Sequence, residues 1–79
     1  MLSDASAAGD ALLHGDFDEG RFRIHLLILK AEALGLPGLS AAAQKLGAEL
    51  GPMGRPPGTG YGASLLQVAD ELETMGLNL

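Results

Sequence analysis

His25 is the side chain in this 79-residue chain whose surroundings most suggest chemistry. It lies in the run Ile24 to Lys30, where six of the seven positions hold either a branched aliphatic residue or that histidine. At about 100° per residue on a helix, it shares a narrow polar stripe with Asp18, Arg21 and Glu32, with Ile28 at the edge. Two apolar arcs flank the stripe, one of Phe22, Leu26, Leu29 and Ala33, the other of Ile24, Leu27, Ala31 and Leu34. Arg23 and Lys30 are expected to point out on roughly the opposite side. An unperturbed imidazole is mostly neutral at pH 7 and can then act as a nucleophile. A cation at Arg21, one turn earlier, would favour that neutral form. A purely structural histidine in the same slot would instead hydrogen-bond to Glu32.

The remaining candidates carry weaker patterns. His14 falls in the last turn of a short helix, where a cation suits the helix dipole. It lies eleven residues from His25 with no i,i+4 or cysteine partner, so no metal site is expected. The stretch Arg55-Pro-Pro-Gly-Thr-Gly-Tyr61 echoes a phosphate-binding loop. That motif requires a glycine where Arg55 stands, a lysine where Tyr61 stands and a strand before it, so a glycine-rich linker is expected. No Ser/His/Asp spacing supports nucleophilic catalysis, and no cofactor is implied.

Four helices must position these residues. Residues 3 to 14 form a short first helix, with Ser3 as N-cap and Ala5, Ala8, Leu12 and Leu13 as a thin apolar stripe. Gly15 suits a helix C-terminus, Asp16 an N-cap, and Glu19 completes a capping-box spacing for the central helix. That helix ends near Gly35. Leu36-Pro37-Gly38 is a tight connection, so the next helix, from Leu39 to Leu50, returns antiparallel. Residues 51–62 hold five glycines and three prolines without periodicity and read as a loop. A last helix runs from Ala63 to about Met75 with Leu65, Val68, Leu72 and Met75 on one face, and Asp70, Glu71 and Glu73 on a solvated one. With no strand signal anywhere, the expectation is an all-α, antiparallel up-down four-helix bundle with a short first helix, a single domain over residues 1–79.

Composition narrows the function classes. A formal charge of −5, from five Lys and Arg against ten Asp and Glu, speaks against nucleic acid, whose binding depends on clustered cations. With 47% hydrophobic and 19% charged residues the chain is expected to be globular. There is no apolar run long enough for a membrane span and no basic, apolar secretory leader, so a cytoplasmic domain is the expectation. Without cysteine, neither disulfides nor thiolate zinc can staple the fold.

The segment Gly15 to Leu50 resembles the histidine-containing phosphotransfer (HPt) family of phosphorelays. Gly15-Asp16 stands upstream of His25 as the family's Gly-Asp does. Ala33-Leu34-Gly35-Leu36 matches the Gly-Leu step that ends the helix, and LSAAAQKLGAEL matches the Ala- and Leu-rich helix that follows. The resemblance implies a non-enzymatic carrier with His25 as phosphoacceptor, and a receiver domain of a response regulator or hybrid histidine kinase as partner. Arg21, Phe22, Leu29 and Glu32 would be its neighbours at the docking surface. The family's lysine three residues after the histidine is Ile28 here, and its glycine four after is Leu29. The alternative is a bundle that kept this scaffold as a protein-binding adaptor or dimerisation module without phosphotransfer. A homodimer would bury Leu12 and Leu13 against a second copy.

Overall fold

A computed structural model describes residues 2–76; Met1 and residues 77–79 of the domain expected over 1–79 lie outside the described residues. It contains α1 (Leu2–Leu13), α2 (Phe17–Ala33), α3 (Pro37–Leu50) and α4 (Tyr61–Thr74), with no strand among the described residues. Consecutive helices pack side by side in a ring, so the architecture is the expected antiparallel four-helix bundle, with α1 the shortest member.

The two tight turns follow from two glycines with left-handed backbone, Gly15 (φ 76°) and Gly35 (φ 67°). Both close Schellman motifs. The Gly15 amide donates to the Leu12 carbonyl (3.2 Å) and the Asp16 amide to Ala11 (2.8 Å). At the second turn the Gly35 amide donates to Glu32 (3.1 Å) and the Leu36 amide to Ala31 (2.9 Å). Asp16 caps α2 as its spacing predicts, its carboxylate accepting the Glu19 amide at 3.3 Å. Glu19 does not close the capping box; its carboxylate turns to the Arg23 Nε at 2.8 Å. Pro37 starts α3 instead of lying in the connection, since its fixed φ suits the first helical turn. The α3 N-terminus has no side-chain cap of its own. A carboxylate from α4 lies over it: a Cβ built on Gly38 would come within 2.7 Å of Glu71 Oε2. Negative charge there complements the helix dipole.

The core takes Ala5, Ala8 and Leu12 from α1, and Ile24, Leu27 and Ala31 from α2. Leu39, Ala43, Leu46 and Leu50 come from α3, and Val68 and Leu72 from α4. Each fully buried leucine or isoleucine contributes about 1.5–3 kcal/mol through area removed from water. The arc Ile24, Leu27, Ala31 is therefore the inner face of α2, whereas Phe22, Leu29 and Ala33 of the other arc, and Leu34, are exposed. On this inner side α1 packs so closely at Gly20 that a Cβ there would meet Leu12 Cδ2 at 2.7 Å.

Several expectations are corrected. Arg23 and Lys30 do not point freely outward: both face Asp4 of α1, Arg23 Nη1 at 3.8 Å and Lys30 through a direct hydrogen bond. Asp4 is buried, and the Lys30 hydrogen bond holds its carboxyl below the usual value against the opposing effect of burial. Ser3 lies inside α1 instead of capping it. The loop covers only residues 51–60, because α4 begins at Tyr61. Leu12 is buried in its own bundle and cannot join an interface with a second copy, whereas Leu13 is 82% exposed.

Candidate functional site

The candidate site is the outer face of α2. His25 is exposed near the middle of this 17-residue helix, and its ring has no hydrogen-bond partner among the described residues. Phe22 (47% exposed) and Leu29 (50%) stand one turn before and one turn after it. Leu26, half-buried, and Ala33, exposed, extend the apolar surface. Helix phase explains the arrangement: with Ile24, Leu27 and Ala31 turned inward, the positions near 22, 25, 29 and 33 must face outward. The imidazole thus looks into water between two apolar side chains.

Glu32 is exposed and accepts a hydrogen bond from Gln44 Nε2 of α3 at 3.3 Å, not from the histidine. Gln44 also donates to Ser40 Oγ at 3.1 Å. Glu32 is therefore a carboxylate at the edge of the site and not an anchor for the ring.

Arg21 is the main correction to the expected site. It is 8% exposed, and its guanidinium is turned into the end of the bundle. Its Nε donates to the Gly51 carbonyl (3.0 Å), and its Nη2 to the carbonyls of Leu50 (2.7 Å) and Arg55 (2.6 Å). Its Nη1 pairs with Asp18 at 2.7 Å. Asp18 accepts the Gly54 amide as well (2.9 Å), and these two donors, the amide first, lower its carboxyl pKa. The last carbonyls of α3 have no continuing helix to bond, and Arg21 supplies the donors. It is a clamp between α2, the end of α3 and the loop, and is not available as a charge beside His25. With Arg23 on Glu19 and Lys30 on Asp4, the three cations of α2 are all engaged.

The loop behaves as the linker its sequence suggests. Besides the Arg21 contacts, the Gly58 amide donates to the Glu49 carbonyl at 2.8 Å, and a Cβ on Gly58 would come as close to that same oxygen. Tyr61 meets Phe17 edge to face at 5.9 Å between centroids, which sets the start of α4 against the start of α2. An open cleft of about 460 Å³ lies against this clamp, lined by Gly15 to Asp18 and Gly54 to Pro57. His14, at the rim of the first turn, has its Nδ1 within 2.7 Å of the Asp10 carbonyl, a local hydrogen bond. Among the described residues no three His, Asp or Glu side chains are placed to hold a metal ion, and no helix is long and apolar enough to cross a membrane.

No family model, curated protein or solved structure matches this chain.

Proposed function

We propose that the domain is an HPt-like phosphorelay carrier whose His25 accepts a phosphoryl group from a receiver-domain aspartate and passes it on. The observation that carries the reading is the exposed, unbonded imidazole at mid-helix between Phe22 and Leu29, on a four-helix bundle of the kind the resemblance implies. In the transfer a neutral ring nitrogen attacks phosphorus. The N–P bond forms as the P–O bond to the aspartyl carboxylate breaks, and the carboxylate leaves while the second ring nitrogen keeps its proton. Arg21 and Lys30 are engaged elsewhere, and Arg23, paired with Glu19, lies over the Phe22 ring at 5.9 Å, so the positive charge facing the phosphoryl oxygens comes mainly from the receiver and its Mg²⁺. The domain is then a substrate of its partner, not an enzyme, and Phe22 and Leu29 supply the apolar contact.

The test is transfer of label from a phosphorylated receiver domain in the presence of Mg²⁺. Wild type is expected to take up acid-labile label and His25→Gln none. Label that persists on His25→Gln would remove His25 from the role.

A second reading, a protein-binding adaptor or dimerisation module without phosphotransfer, draws on two observations: the withdrawal of Arg21 and the bulk of Leu29 one turn from the ring. Leu29→Gly separates the two. If it raises labelling from nothing to a measurable level, the native chain is the adaptor.

A further inference from the structure

The ring of helices is nearly open at one place. α1 and α4 are neighbours that barely meet, and a groove of about 320 Å³ runs between them. Ala5, Ser6 and Gly9 line it from α1, and Leu65 and Ala69 from α4. Leu13 (82% exposed) and Leu66 (67%) also line it, and they are the two most exposed large apolar side chains among the described residues. A Cβ on Gly9 would find nothing within 4 Å, so the trough beside it is open space. The charges around it have one sign. Asp10 lines the groove, and Glu73 follows Leu66 and Ala69 at helical spacing on the same face of α4. Among the described residues no cation lines it; Arg23 and Lys30 engage Asp4 on the α2 side of α1.

We infer that the α1–α4 seam is a docking groove for an apolar helix of a partner protein flanked by lysine or arginine. A trough between two packed helices accepts a third helix, its apolar side chains seated on small residues such as Ala5, Ser6 and Gly9. The 12 residues of α1 give the trough a length of about 18 Å, enough for about three turns of ligand. Asp10 and Glu73 set the sign of the partner's flanking charges. A second copy of this chain fits poorly, since two faces with formal charge −5 on each molecule would set carboxylate against carboxylate. The seam lies across the ring from the α2–α3 pair, and its lining shares no residue with the face of His25.

The experiment is a titration of isotope-labelled protein, followed by amide chemical shifts, with an amphipathic peptide of about 14 residues carrying leucines on one face and lysines on the other. Shifts are expected along residues 5–13 and 65–73, weakening as salt rises. The same peptide with glutamate in place of lysine should not bind. Gly9→Met, which fills the trough, and Leu66→Ser, which removes an exposed contact, should each weaken binding about tenfold. Gly9→Met should melt no lower than wild type, since methionine is the better helix former, so its loss of binding cannot be a loss of fold. Reversing the rim with Asp10→Lys and Glu73→Lys together should transfer the preference to the glutamate peptide. The proposal is overturned by equal binding of both peptides, by no binding of the lysine peptide, or by shifts centred on Phe22 to Leu29. It is equally overturned by a homodimer in sedimentation that Gly9→Met dissolves, which would make a second copy the occupant.

Discussion

One turn of α2 separates Arg21 from His25, and the two side chains have opposite surroundings. Arg21 is nearly sealed and donates to three carbonyls and a carboxylate drawn from α3, the loop and its own helix. His25 is open to water, has no partner among the described residues, and stands between two half-exposed apolar side chains. A polar group that a fold surrounds with acceptors is architecture: removing it leaves buried carbonyls unpaired. A polar group left without partners on an exposed helix face contributes little to stability. The candidate site and the scaffold are thus adjacent on one helix and separable by mutation.

The largest effect should come from Arg21→Ala. Three carbonyls lose their Arg21 donor and Asp18 keeps only the Gly54 amide, and a cost of about 3 kcal/mol is expected in urea denaturation. A cost near zero would mean that the clamp does not hold the loop. Gly58→Ala attacks the same junction from the other side by pushing a methyl group against the Glu49 carbonyl oxygen, for a loss of about 2 kcal/mol. If Gly58→Ala is neutral, the loop is less firmly seated than the Arg21 contacts imply. Asp4→Asn comes next at about 1 kcal/mol at pH 7, since Asp4 is buried but Lys30 is half-exposed and its attraction is screened. Its pH dependence has a definite sign. A carboxylate with a lowered folded pKa adds stability above its unfolded pKa and loses it as pH falls through the folded one. Wild type should therefore weaken below about pH 5, and Asp4→Asn should show a shallower acid limb that converges with wild type at the lowest pH. Parallel acid limbs would assign the acid sensitivity to other carboxylates, Asp18 first. The smallest effect belongs to His25→Gln, which should leave the unfolding midpoint within about 0.5 kcal/mol of wild type. A larger loss would put His25 with Arg21, as part of the scaffold.

Much of the scaffold was legible in the residues. Gly15, Asp16 and Gly35 mark helix ends through conformations and caps that few other side chains provide, and they occupy those positions. The spacing of Leu39, Ala42 or Ala43, Leu46 and Leu50 identifies the inner face of α3, with Ala43 the fully buried alanine; on α4 Val68 and Leu72 are buried and Leu65 partly so, but Met75, expected on the same stripe, is exposed past the helix end. The orientation of α2 was not legible, because its two arcs are about equally apolar and periodicity alone cannot rank them. Close approach of α1 at Gly20 and the ion pairs of Asp4 decide it, and both depend on which helix lies alongside. The role of Arg21 was hidden for a related reason. Its acceptors are main-chain carbonyls 29 to 34 residues away, and a carbonyl has no signature in the sequence. The seam escaped because Leu13 and Leu66 each look like an ordinary position on a helix; only the packing leaves both uncovered at one groove.

The most direct test of the account follows the phosphoryl group itself, as a time course of transfer from a phosphorylated receiver domain with Mg²⁺ to wild type, His25→Gln and His14→Gln. The account predicts label on wild type and His14→Gln, with loss from the receiver matching gain by the domain, and none on His25→Gln. A receiver that keeps its phosphoryl group in the presence of the folded wild-type domain, or label that follows His14, would contradict it.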